Sequence, residues 1–172
     1  MLKKLLITSV LLALSTEIVF AKATPYAGVG IGIHNTGGYT GLMENTFVGI
    51  GKVVGEQQDY YFGQEIFAEF GSVPLSNNQA NRAKYGLGIS LIPGIILYQD
   101  TMAYLRVGCE ALRYPVFHST DAAPQIGLGM QTKLYKNWDV RGEFLHSFGY
   151  GALDNLSRTK DNRLNVGFLY QF

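Results

Sequence analysis

The sequence lacks most of what stabilises a compact domain of its size. It has one cysteine, Cys109, so no internal disulfide staples it. Only 16% of its residues are charged, against roughly 25% in soluble domains. Beyond the N-terminal segment no apolar run approaches the length of a membrane helix, so any membrane crossing falls to strands. The formal net charge is +1 with no polybasic block, which removes the case for nucleic acid or anionic surfaces as partners. Cys109, His34 and His118 have no neighbours at ligand spacing, so neither a metal nor another cofactor is expected. The glycine-rich "GVGIGIH" precedes no helix and therefore makes no phosphate loop.

What is present begins with "MLKKLLITSVLLALSTEIVFA". Lys3 and Lys4 lead an apolar run from Leu5 to Leu14, followed by small residues near Ala21. This is the layout of a secretory signal cleaved after Ala21; its apolar core is too short for the roughly 20 residues of a membrane anchor. The expected organisation is a signal peptide over 1–21 and one domain over 22–172. Removing Lys3, Lys4 and Glu17 leaves that domain formally neutral. It is rich in glycine and aromatics, with 21 Gly, 11 Tyr and 10 Phe in the chain.

Period-two alternation runs through almost the whole domain, as in half-buried strands. "AGVGIGIH" sets Val29, Ile31 and Ile33 against Gly28, Gly30, Gly32 and His34. "YYFGQEIFAEFG" sets Phe62, Ile66 and Phe70 against Gly63, Glu65, Phe67 and Glu69. "MAYLRVGCEAL" sets Leu105, Val107, Cys109 and Ala111 against Tyr104, Arg106, Gly108 and Glu110. "WDVRGEFLHSF" and "RLNVGFLYQF" set Val140, Phe144, His146, Val166 and Phe168 against Asp139, Arg141, Glu143 and Arg163. "FVGIGKVV" is apolar on both parities; Lys52 alone hints that Val48 and Ile50 share the inner face, and the facing of this strand is left open.

Eight strands are expected, over 25–34, 46–54, 59–71, 83–92, 101–113, 123–134, 138–149 and 162–172. Long connections ("NTGGYTGLMEN", "SVPLSNNQANR", "YPVFHSTDA", "YGALDNLSRTKD") alternate with shorter ones ("GEQQ", "IPGIILYQ", "YKN"). Even strand number and alternating loop lengths give the fold class: all-β, an eight-stranded antiparallel up-and-down transmembrane β-barrel. A lipocalin-like soluble barrel has the same alternation turned inside out. Glycines crowding the charged face favour a narrow bore on that side, because large side chains fit there only where others are missing. Aromatics gather near strand ends as two girdles: Tyr26, Tyr60, Tyr61, Tyr135, Trp138, Tyr170 and Phe172 on the turn side, and Tyr85, Tyr114, Phe117, Phe148 and Tyr150 on the loop side.

The stretches "YFGQEIFAEFG" and "NWDVRGEF…LNVGFLYQF" resemble the small bacterial outer-membrane β-barrel superfamily, which includes the OmpA-like transmembrane domain and opacity-type proteins. The resemblance implies outer-membrane lipid and lipopolysaccharide around the wall, a monomer, and a host or extracellular ligand reached through the loops. It also implies that Phe168, Tyr170 and Phe172 form the C-terminal signal read by the barrel assembly machinery. In that family interior ionic networks plug the bore and can switch to permit small conductance. The candidates here are Glu65, Glu69, Arg106, Glu110, Lys133, Arg141, Glu143 and Arg163, a nearly balanced set that favours internal pairing over an ion-selective pore.

The function expected is therefore non-enzymatic: a filled barrel with a structural or surface-contact (adhesion-like) role, the alternative being a small low-conductance channel. A third reading, a lipid A deacylase, is invited by His146, Ser147 and Glu143. It requires nucleophile and base on one side of the wall, whereas adjacent strand residues point to opposite faces. His146 then faces lipid while Ser147 and Glu143 face the bore, and no catalytic residue is expected.

Overall fold

Alternating apolar and small or polar residues cannot bury both faces of a single sheet, so the chain closes the sheet on itself. The computed structural model describes residues 23–36, 38–74, 82–98, 100–114, 119–148 and 161–172. The expected signal peptide, Phe117, His118 and Tyr150 lie outside the described residues, as do most of the long connections. The strands are β1 (Thr24–Thr36), β2 (Tyr39–Val54), β3 (Tyr60–Pro74), β4 (Arg82–Tyr98), β5 (Thr101–Tyr114), β6 (Ser119–Tyr135), β7 (Trp138–Ser147) and β8 (Asp161–Gln171). Each pairs antiparallel with its sequence neighbours, and β8 returns to β1 through pairs such as Val29↔Phe168 and Ile31↔Val166, closing the barrel. Closure leaves no strand edge unpaired, as a bilayer demands.

The apolar stripes face outward. Val29, Ile31, Ile66, Leu87, Ile89, Leu128, Phe144, Leu164 and Val166 are all exposed on the outer wall. A contiguous oily surface of this kind is stable only against acyl chains. The opposite parity points into the bore and is buried, including Glu65, Glu69, Arg106, Glu110, Arg141, Glu143 and Arg163.

The bore shows why those strands need glycine. Large inward side chains lie across the ladder from inward glycines: Phe47 opposite Gly28, Tyr26 opposite Gly49, Phe67 opposite Gly88, Tyr104 opposite Gly129, and Leu145 opposite Gly127. A Cβ at any of these glycines would overlap the facing side chain. Size is thus complementary pair by pair, which is how an eight-stranded interior reaches close packing. Two apolar clusters result, Tyr26–Phe47–Phe67–Leu169 and Ile92–Met102–Tyr104.

Four expectations are corrected. Val48 (55% exposed) and Ile50 (38%) lie on the outer wall, not the inner one; Phe47 takes the inner position because Gly28 vacates space for its ring. The first long outer loop does not exist. β1 and β2 pair continuously to Thr36↔Tyr39, and Gly38 just before Tyr39 has φ +89°, a conformation glycine adopts without cost. β4 runs to Tyr98 instead of ending at 92. Pro93, read from sequence as part of a turn, sits in the strand opposite Phe62, while the β5 ladder passes from Leu91↔Val107 to Gly94↔Tyr104 around it. Finally, Tyr26 and Tyr61 leave the turn-side girdle: Tyr26 is buried in the bore, and Tyr61 packs against the Ile92 cluster. Tyr60, Tyr135, Trp138 and Phe172 remain exposed at that end, with Tyr98 beside them.

Candidate functional site

Inward parity on β3, β5, β7 and β8 brings ionic side chains from around the circumference to the axis of the bore. They form two layers. In the layer nearer the turns, Glu65 is the hub. It accepts from Tyr26 Oη at 3.2 Å and Arg141 Nη1 at 2.6 Å, and it pairs with Arg106. Arg106 also lies 3.2 Å from Glu143, which accepts from Tyr104 Oη at 3.0 Å and from Asn165 Nδ2 at 3.4 Å. Arg141 directs Nε and Nη2 at Gln131 Oε1, 3.3 and 3.1 Å away. Its guanidinium is boxed by the rings of Phe47, Tyr104 and Tyr26, with centroids 4.7, 5.3 and 5.6 Å distant.

In the layer nearer the loops, Arg163 is the hub. It pairs with Glu69 and Asp161, and its Nη2 donates to Glu110 at 2.6 Å. Gln125 Nε2 donates to the same Glu110 oxygen at 2.6 Å, and His34 Nδ1 lies 3.6 Å from Asp161. Charge-assisted, multidentate contacts of this kind make buried charge tolerable. Each hub ties strands that are not neighbours: Glu65 on β3 reaches β5 and β7, and Arg163 on β8 reaches β3 and β5.

Seven of the eight candidate residues come together in these layers. Lys133 does not; it is exposed at the turn-side mouth, where β6 ends. Two carboxylates, Asp161 and Asp139, and two phenol donors, Tyr26 and Tyr104, escaped the sequence reading of the site. Asp161 had been assigned to a loop, although stepping back two residues from Arg163 puts it on the same face. Tyr26 is expected in the girdle, and Tyr104 is expected on the inner face but outside the candidate set; both donate to network carboxylates. Asp139 stood on the inner face but outside the candidate set. Among the described residues the buried charges are Glu65, Glu69, Glu110, Asp139, Glu143 and Asp161 against Arg106, Arg141 and Arg163. Among these described residues, carboxylates outnumber guanidinium groups.

His146 and Ser147 separate as the alternation requires. Ser147 is buried in the bore, while His146 is on the outer wall, with Nδ1 2.8 Å from Asn162 Oδ1 and its ring edge-on to Phe148. Glu143 is committed to Arg106 and Tyr104 inside. No acyl carbon could touch both the imidazole and the hydroxyl. Cys109 is a free thiol on the outer wall.

No protein-family model matches the sequence, and no curated protein does. Solved structures do match in fold. Neisserial surface protein A is 13% identical over 87% of this chain and 97% of its own, with a TM-score of 0.53. Ail, the attachment invasion locus protein of Yersinia pestis, is 12% identical over 87% of this chain and 97% of its own, also at 0.53. Ail in a phospholipid bilayer nanodisc gives 12% identity, 86% and 99% coverage, and a TM-score of 0.51. At these identities the likeness is one of fold: small transmembrane barrels of bacterial outer membranes.

Proposed function

We propose that this protein is a non-enzymatic integral outer-membrane barrel whose bore is closed to ions and whose work is done at its surface. The observation that carries the reading is the cross-bore bracing by Glu65 and Arg163, which occupies the axis with buried, mutually paired side chains. The separation of His146 from Ser147 supports the absence of lipid-hydrolysing chemistry. Lipid and lipopolysaccharide surround the wall, and the assembly machinery reads the outward Phe168, Tyr170 and Phe172 on the closing strand. The chain works as a monomer, with no nucleic acid among its partners. A host surface or extracellular ligand is met at the loop end, through residues 75–81, 115–118 and 149–160, which lie outside the described residues. One solved structure of similar fold is described as a surface protein and another as an attachment invasion locus protein, which agrees with such a role.

Planar-bilayer recording tests the closed bore. Reconstituted protein is expected to give no steady unit conductance, and Arg106→Ala or Glu110→Ala to raise leakage. A large, steady conductance in the unaltered protein contradicts the proposal. A small cation-selective conductance would favour the channel reading instead, because among the described residues the buried carboxylates outnumber the guanidinium groups.

A further inference from the structure

The turn-side mouth of the bore holds a carboxylate that the network does not satisfy. Asp139, at the start of β7, is only 4% exposed. Both Gln131 Nε2 and Gln171 Nε2 donate to its Oδ2 at 2.6 Å, whereas Oδ1 has no hydrogen-bond partner. A buried carboxylate oxygen left unmet is costly, since it has given up water and gained nothing. The cations that could meet it are otherwise placed. Arg141 is turned away, committed to Glu65 and to Gln131 Oε1. Lys133, directly across the ladder from Asp139, is exposed at the rim.

Asp139 lines a cavity of about 210 Å³ that opens at this end. Its wall combines Tyr61 with the aliphatic Val53, Ile96 and Met102, and Asp100 stands exposed at the rim. A buried carboxylate oxygen, an aromatic ring, an apolar sleeve and a second acid at the entrance together select one kind of guest. We infer that the turn-side mouth binds a primary ammonium carried on an aliphatic stem, as in a diamine or a lysine-type side chain. The ammonium pairs with the Asp139 carboxylate and lies near the Tyr61 ring, and the methylenes pack on Val53, Ile96 and Met102. Two carboxylates against one lysine disfavour anions, and a neutral amide would leave the carboxylate charge uncompensated. Lys133 competes from the rim, so its removal should help the guest.

The test is calorimetric titration of the full chain, refolded in detergent micelles, with 1,5-diaminopentane, with Nα-acetyl-lysine methylamide, and with glutarate as the anionic control. Saturable binding of an amine and none of glutarate is expected. Binding of the diamine alone assigns the site to free polyamines; binding of the lysine derivative assigns it to side chains of a peptide or polymer. Lys133→Ala, a change at an exposed residue, should tighten amine binding about threefold or more, a shift of roughly half a decade in Kd. Asp139→Asn should abolish binding while the folded, heat-modifiable gel band persists. The inference is overturned if neither amine saturates, if glutarate binds equally, if Asp139→Asn binds as well as the parent, or if Lys133→Ala leaves binding unchanged or weaker.

Discussion

Replacing Arg163 with alanine is expected to destabilise the folded barrel by about 3–5 kcal/mol, the range for removing one partner of a buried ionic group. Arg163 is the guanidinium shared by Glu69, Glu110 and Asp161. Its loss strands three carboxylates around one point in a bore too narrow to admit bulk water. The remedy should be specific: adding Glu110→Gln to the alanine variant recovers part of the loss, because one stranded charge is then removed. Arg163→Lys should fall between, since a single ammonium lacks the planar fork needed to address three acceptors. Urea unfolding in lipid vesicles, followed through the single tryptophan, Trp138, and through gel mobility, reads all four proteins. A loss below about 1 kcal/mol, the value of a solvated ion pair, would mean that water fills the bore and that the ionic layers are not structural.

Leu128→Arg is expected to cost about 2–4 kcal/mol in the same assay, the penalty for a cation at the bilayer midplane on the lipid face of a barrel. Leu128 is 63% exposed and sits between Leu105 and Phe144 on the adjoining strands, midway along β6. Tyr135→Arg, at the turn-side end of the same strand, should cost only about 0–1 kcal/mol, because the side chain reaches the headgroups. This depth dependence separates a membrane wall from a solvated one. On a surface facing water, both substitutions would fall within about 0.5 kcal/mol.

Strand number, facing and closure were legible because period-two alternation is strict wherever one face is wholly apolar, as in Val29–Ile33 or Leu164–Phe168. The reading failed where size, not polarity, decided direction. Phe47 and Val48 are equally oily, and only the vacancy opposite, at Gly28, sends the ring inward; that pairing depends on register, which a single strand does not carry. Tyr26 and Tyr61 were misplaced for the same reason, each being an aromatic near a strand end that has a glycine to lie over. Glycine and proline misled in the connections: strand pairing already reaches Thr36↔Tyr39, where a long glycine-containing loop is expected, and Pro93 lies inside a strand. In the ionic layers the residue types were readable from the inner face, but the hub roles of Glu65 and Arg163 come from contacts across the bore between distant strands. Lys133 shows the limit of parity, since a residue can belong to the inner face and still end at the mouth.

The orientation of the wall is what every other conclusion depends on, and the protein carries its own probe for it. Cys109 is the only cysteine and is exposed on the outer wall between Val107 and Ala111. A small thiol-reactive fluorophore attached there before refolding into vesicles should be strongly quenched when the acyl chains carry bromine, and scarcely at all by aqueous iodide. Efficient quenching by iodide, or emission indifferent to brominated lipid, would contradict an outward oily face and with it the barrel's placement in a bilayer.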